Sequence, residues 1–239
     1  MEKSFIHINC DLGEGAGNDA LIMPLISSCN VACGGHVGER ASILETISLA
    51  KLNNVQVGAH PSYPDRSNFG REVLNIDSQK LYSSLKVQMQ LVIDCAEEME
   101  VSLSHIKPHG ALYNEAARNI KIAQIILEAV NDVNGPCEIY APYKSTIARL
   151  AIEKGLKVKY EAFVDRSYND DLSLVSRINR NAMIPLEHVI SHISEMQNYG
   201  LVRTIHGNSV SLKADTFCIH GDNPLVVEIL ELLHQHFSN

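Results

Sequence analysis

Residues 55–61 read VQVGAHP, residues 78–100 read SQKLYSSLKVQMQLVIDCAEEME, and residues 105–110 read HIKPHG. The outer two are short runs, apolar at their centres and closed by Pro or Gly, as strands are. The middle run has helix periodicity. Leu81, Leu85, Met89, Val92 and Ala96 recur at steps of three and four, which puts them on one face, and Asp77 or Ser78 stands where an N-cap oxygen is needed. A helix of this length between two strands is a crossover, and crossovers join parallel neighbours, because a tight turn cannot.

The same alternation runs outward in both directions. Further strands are predicted at 5–12 (FIHINCDL), 27–35 (SSCNVACGG), 137–142 (CEIYAP), 157–165 (KVKYEAFVD) and 216–222 (TFCIHGD). Helix-period stretches lie at 39–54 and 119–133, and NPLVVEILELLHQHF forms an amphipathic final helix. LVRTIHGNSVSL, residues 201–212, reads as a β-hairpin turning at Gly207-Asn208, inserted before the last strand. Seven strand–helix units predict an α/β fold, a closed or nearly closed (β/α) barrel with one unit fewer than the eight-fold form; an open doubly wound sheet is the competitor. No linker or low-complexity tract divides the chain, and 239 residues suit one barrel, so residues 1–239 are expected to form a single domain.

Composition narrows the function classes. A formal net charge of -8 disfavours nucleic acid and anionic membranes as partners. No run reaches the ~20 apolar residues a membrane helix needs, and the opening MEKSFIHINCDLGEG has no signal pattern, so the expected location is cytoplasmic. There is no Trp, which predicts an aliphatic core. The six cysteines read as reduced, mostly buried thiols rather than disulfides; Cys29 and Cys33 have no second pair at zinc-site spacing.

The ionisable residues gather at the predicted carboxyl ends of the strands. They are Asp11 and Glu14; Asn30 and His36; His60, Asp65 and Arg66; Lys107, His109 and Asn114; Asp165, Arg166 and Tyr168; His220, Asp222 and Asn223. In parallel α/β barrels the βα loops converge there, and so do catalytic residues. Lys107, in an apolar strand before Pro108, requires an anion such as Asp11, Glu14 or a substrate carboxylate. Asp65-Arg66 and Asp165-Arg166 read equally as loop-locking ion pairs or as substrate contacts. His188, His192, His234 and His236 fall in predicted helices and carry no expected role. There is no phosphate loop, no G-x-G-x-x-G and no G-x-S-x-G. Asp11, His60 and His109 could alternatively hold a divalent metal, as in a metal-dependent deacetylase or amidase acting alone; a non-catalytic carrier or regulatory subunit is the blander alternative.

NCDLGEGAG, SSCNVACGGHVGE, VGAHPSYPDRSNFGRE, HIKPHGALYNEAA, EAFVDRSYNDDLSLVSR and FCIHGDNPLVVEIL resemble, in order, the characteristic blocks of the LamB/YcsF family, such as VKPHGALYN and CVHGDNP. The resemblance covers nearly the whole chain. It implies an irregular seven-stranded barrel of the glycoside hydrolase/deacetylase type. It also implies cleavage of 5-oxoproline to L-glutamate coupled to ATP hydrolysis, as the A component of a complex with 5-oxoprolinase subunits B and C. ATP handling would then be shared with partners or use a site without a known signature. On this reading Asp11 or Glu14 acts as base, His60 or His109 protonates the leaving nitrogen, and Lys107 and Arg66 hold substrate oxygens. Asn114 and Asp222 orient these groups, and Asn30, His36, Asp65, Asp165, Arg166 and His220 complete the substrate site. The chain departs from the family pattern at Gly13, Ala16, Gly35, Glu72, Asp171 and Ser176; phenylalanines lost at 16 and 35 predict a wider mouth.

Overall fold

The computed structural model describes residues 5–133 and 137–237. In chain order the elements are β1 (Ile8–Leu12), α1 (Asp19–Ile22), β2 (Ser28–Ala32), α2 (Arg40–Asn53), β3 (Gln56–His60), α3 (Ser78–Glu98), β4 (Leu103–Ile106), α4 (Gly110–Arg118) and α5 (Ile120–Val133). There follow β5 (Glu138–Pro142), α6 (Thr146–Glu153), β6 (Val158–Phe163), α7 (Val189–Tyr199), β7 (Leu201–Arg203), β8 (Ser209–Ser211), β9 (Thr216–His220) and α8 (Val226–Phe237). Seven parallel strands close a barrel in the order β1-β2-β3-β4-β5-β6-β9, so the doubly wound competitor is excluded. The antiparallel β7–β8 hairpin pairs Leu201 with Ser211 and Arg203 with Ser209, with Gly207 at φ 83 in its turn.

The predicted crossover between β3 and β4 forms as read. The Asp77 carboxylate accepts from the Gln79 and Lys80 amides at the start of α3, satisfying two of the four free N–H groups of a helix start. Leu81, Leu85, Met89, Val92 and Ala96 are all buried. Two strand limits are corrected. The β2 ladder stops at Ala32 rather than residue 35, because Gly34 turns the chain and donates to the Val37 carbonyl. β4 ends at Ile106, not residue 110: Pro108 has no N–H to donate, and α4 begins at Gly110 with φ 51. The Lys107 and His109 amides still bond to the Ala59 and Pro61 carbonyls, so both side chains stay fixed against the end of β3.

The aliphatic core lies between the strands and the surrounding helices, with Ile43, Ile47, Leu85, Met89, Ile126 and Leu230 among its members. The barrel interior is different: it is polar and layered. Successive strand residues face opposite sides, so one alternate set (His7, Asn9 and Asp11 on β1 and just before it; Ser28 and Asn30; His105 and Lys107; Glu161; Thr216 and Cys218) points inward. Asn30 Nδ2 donates to Asn9 Oδ1 at 2.7 Å and Asp11 Oδ1 at 2.8 Å, and Asn30 Oδ1 bonds His105 Nε2 at 2.7 Å. The His105 ring stacks on Tyr140 at 3.9 Å. Gly58 makes room for it, since a Cβ there would lie 2.2 Å from His105 Nε2. The six cysteines are buried thiols, with no disulfide among the described residues; burial pushes the Cys29 thiol up to about 12. No described helix is long and apolar enough to cross a membrane.

Candidate active site

Parallel pairing sets the site. Asp11 is in register with both Asn30 and His220, and Ala32 with His60, so these residues reach the carboxyl-terminal rim together. His36, His60 and His109 form one cluster. The rings of His36 and His109 stack at 3.7 Å, and His60 meets both edge-on. Phe69 closes the outer side, 5.1 Å from His36 and 5.6 Å from His109. Two carboxylates flank the rings: Asp11 Oδ2 lies 3.4 Å from His60 Nε2, and Glu14 Oε1 lies 3.0 Å from His36 Nε2 and 3.6 Å from His109 Nδ1.

The two carboxylates differ. Burial alone would raise the Asp11 carboxyl, but its contacts with His60 and the Lys107 ammonium outweigh it and hold Asp11 well below the usual range. Burial and the Asp11 charge push Glu14 up. A pair of acids driven apart in this way separates a permanently ionised anchor from a group able to exchange protons. His36 is pushed down to about 3, by burial and then by His60, and burial likewise holds His109 well below its usual value.

The ring protons can be assigned from their partners. His60 Nδ1 lies 2.7 Å from the Lys107 carbonyl and His109 Nε2 lies 2.9 Å from the Phe69 carbonyl. Carbonyls only accept, so both nitrogens carry the hydrogen. The remaining nitrogens, His60 Nε2 and His109 Nδ1, then turn lone pairs toward each other at 3.0 Å. Such a contact requires a shared proton or a cation between them. Asp11, His60 and His109 can also bring one ligand atom each within 4.8 Å of one another, as can Glu14, His36 and His109. The imidazole and carboxylate donors fit a divalent ion such as zinc.

Lys107 sits beneath this cluster. Its ammonium touches Asp11 Oδ1 at 2.8 Å, Glu161 Oε1 at 3.1 Å, Cys218 Sγ at 2.9 Å and Asn9 Oδ1 at 3.4 Å. Burial opposes its charge, but Asp11, then Cys218 and Glu161, drive its pKa well above the usual value. Its donors are thus engaged by Asp11, Glu161, Cys218 and Asn9. Glu161, Asn9 and His105 belong to this network and were absent from the sequence expectations.

Other expected residues scatter more. Asn30 is fully buried below Asp11. His220 Nδ1 bonds Asp165 Oδ1 at 3.0 Å, Asn223 Nδ2 donates to Asp165 Oδ2 at 2.9 Å, and Tyr168 OH donates to none of these but accepts from the Phe163 amide. Neither Asp-Arg neighbour pair forms an ion pair among the described contacts. Asp65 instead accepts from Ser67 and Asn68, and exposed Arg66 donates to the Gly34 and Gly38 carbonyls, locking a loop. Arg166 donates to the Val175 carbonyl. Asn114 is exposed on α4, outside the buried cluster. Asp222 is bound by Arg71 and Arg177. The wider mouth expected at Gly35 is corrected: a Cβ there would lie 2.3 Å from Gln88 Oε1 and from Ser62 Oγ, so that space is filled. Ala16 is exposed, in an open loop. A surface cleft of about 660 Å3, bordered by Tyr82, Ile125 and Lys154, lies on the outer helices away from these residues.

Comparison with known proteins gives consistent matches. A family model described as LamB/YcsF family matches residues 6–239. The 5-oxoprolinase A subunit of Pyrococcus abyssi (strain GE5 / Orsay) is 39% identical over 230 residues, covering 94% of this chain and 90% of the relative. The 5-oxoprolinase A subunit of Bacillus cereus (strain 03BB102) is 38% identical over 240 residues, covering 98% and 95%. The crystal structure of the lactam utilization protein from Thermus thermophilus superposes with a TM-score of 0.88 at 34% identity, covering 97% of this chain and 96% of that one. A GH18 chitinase from Pseudoalteromonas aurantia, at 10% identity and a TM-score of 0.52, shares the fold alone.

Proposed function

The chain belongs to the LamB/YcsF family, and from that premise we propose that it is the A subunit of an ATP-dependent 5-oxoprolinase, opening 5-oxoproline to glutamate together with subunits B and C. The observation that carries the reading is the buried pair of carboxylates with opposed proton affinities, Asp11 and Glu14, around three contacting imidazoles at one barrel rim. The relatives named as 5-oxoprolinase A subunits support the choice of substrate.

A five-membered lactam is a resonance-stabilised amide, so its carbonyl carbon needs activation, and ATP supplies it by phosphorylating the amide oxygen. This chain has no phosphate loop, which favours partner subunits in handling the nucleotide. Glu14 takes a proton from water as it attacks the carbonyl carbon. The C–N bond breaks, the ring nitrogen receives a proton from the His60–His109 pair, and the acyl phosphate so formed is hydrolysed by a second water to glutamate and inorganic phosphate. Asp11, kept ionised, stabilises positive charge on that pair. Lys107 and Asn30 hold Asp11 in place. The test is 5-oxoproline turnover with ATP, first with this chain alone and then with co-expressed B and C. Turnover only in the assembled complex is expected. Absence of turnover there rejects the reading, and full turnover by the chain alone rejects the need for partners.

The facing lone pairs of His60 and His109 favour a second reading, a metal-dependent amidase. Asp11, His60 and His109 would hold the ion, which would polarise an amide carbonyl or acidify water. Metal content of the purified chain decides it. Stoichiometric zinc or manganese, lost in His109→Asn together with a metal-dependent rise in melting temperature, supports this reading; a metal-free chain that works in the complex removes it.

A further inference from the structure

Three loops from distant parts of the chain meet at the mouth. Arg71, after β3, donates to Asp222 Oδ2 at 2.5 Å; Arg177, in the segment after β6, reaches the same oxygen at 3.4 Å; Asp222 itself follows β9. The arginine side chains are 42% and 36% exposed, so both remain accessible to a solute. Two guanidiniums on one carboxylate leave a positive charge in excess. Buried Arg166 lies within reach of the same charges: its Nε has no hydrogen-bond partner among the described residues, and after burial Arg177 lowers its pKa while Asp165 and Asp222 raise it. This is a cationic mouth on a chain whose formal net charge is -8.

Its place relative to the acid–base cluster is defined by Phe69. The Arg71 guanidinium lies 4.8 Å over one side of that ring, and His36 and His109 pack edge-on against it. An anion at the guanidiniums is therefore one aromatic ring from the imidazoles. It cannot move deeper without cost, because Glu14 and Asp11 line the floor. Such an arrangement suits a small ligand with a carboxylate at one end and a neutral reacting group at the other.

We propose that Arg71 and Arg177, gathered by Asp222, form the docking site for the substrate's carboxylate, leaving the lactam ring over Glu14 and His109. The inference rests on the lactam-hydrolase reading and adds to it residues that determine specificity. Guanidiniums suit this task because their planar fork matches a carboxylate with two parallel hydrogen bonds. Asp222 keeps both arginines oriented before the ligand arrives, which lowers the ordering cost of binding.

The test compares 5-oxoproline with 2-pyrrolidinone, the same lactam without its carboxylate, in the assembled complex. The wild type should prefer 5-oxoproline. Arg71→Ala with Arg177→Ala should raise the KM for 5-oxoproline ~10- to 100-fold, the effect of losing hydrogen bonds to a charged group, with the KM values for ATP and 2-pyrrolidinone unchanged. Arg71→Lys should recover only part of the loss. A wild-type complex that handles both lactams equally overturns the site while leaving the hydrolase reading intact. So does a double variant with an unchanged KM for 5-oxoproline, or one whose defect is in the KM for ATP. A wild-type complex with no lactam turnover rejects the hydrolase reading, and the inference with it.

Discussion

Lys107→Ala is the perturbation whose size the structure defines best. The ammonium is the cation within contact distance of both Asp11 and Glu161 among the described ion pairs, and all three side chains are buried. Its removal leaves the buried Glu161 carboxylate without its cation and Asp11 with only His60 and Asn30 beside it. Breaking a buried ion pair from one side costs about 3–5 kcal/mol. For a chain of 239 residues that is roughly 6–20 °C of melting temperature, taking ~2–4 °C per kcal/mol. The pH dependence adds a signature. The pKa of Lys107 is raised, so its contribution is complete below about 10.4, the unfolded lysine value, and fades as pH rises through the folded value. The pKa of Asp11 is lowered, so its contribution is complete above about 3.9 and fades as pH falls through the folded value. Between pH 5 and 9 the wild type should therefore show no slope from this pair. In the variant, protonation of one carboxylate relieves the repulsion, and the gap to wild type should narrow toward pH 5. Circular-dichroism melts at pH 5, 7 and 9 measure both effects. Lys107→Arg should rescue poorly, since a planar fork does not reproduce the compact ammonium's contacts with Asp11, Glu161 and Cys218. A Lys107→Ala protein that melts like wild type at every pH but turns over slowly would refute the positioning role and return the ammonium to the substrate.

Glu14→Gln should lower single-turnover rates in the complex by ~10²–10⁴-fold, the range for loss of a general base. Its melting temperature at pH 7 should be unchanged or higher. A carboxyl whose folded pKa is raised makes the protein lose stability as pH climbs between the unfolded and folded values, and the neutral amide avoids that loss; a large drop in melting temperature would contradict this. The acidic limb of the wild-type pH–rate profile should lie above the usual carboxylate range and disappear in Glu14→Gln. Gly221→Ala would place a Cβ 2.4 Å from the Asp11 carbonyl oxygen, so denaturant titration should reveal a loss of ~1–3 kcal/mol; an unshifted midpoint argues against this close approach. Arg66→Ala should leave the KM for the lactam unchanged and lower only the melting temperature, because its bonds go to the Gly34 and Gly38 carbonyls; a raised KM would restore it as a substrate contact.

The barrel was legible in the sequence because helix and strand periods differ, and α3 with its Asp77 cap illustrates how cleanly. Asp11, His60 and His109 were legible because Gly and Pro mark the strand ends where the loops converge. Glu161, Asn9 and His105 were not, for a physical reason. A polar residue at alternate strand positions normally reads as a solvent-facing side, whereas here the alternate side is the inside of a closed barrel, where polar groups satisfy one another. The Asp-Arg neighbours misled for a related reason: adjacency in a loop does not aim two side chains at each other. Arg71 and Asp222 are 151 positions apart, and nothing local in either segment announces the partner.

The six buried thiols have a practical consequence. They sit on β1, β2 and the loop after it, in α3, just before β5 and on β9, so they sample most of the circumference. A thiol whose deprotonation is suppressed reacts with alkylating reagents only when its surroundings open. The native chain therefore carries its own set of sector-specific clocks. Cys137 adjoins the junction of β4 and β5, where His105↔Glu138 and Ile106↔Ile139 are the pairs in register among the described residues, and it is placed to record an opening there. Cys218, held against the Lys107 ammonium, is placed to record an opening beneath the imidazole cluster.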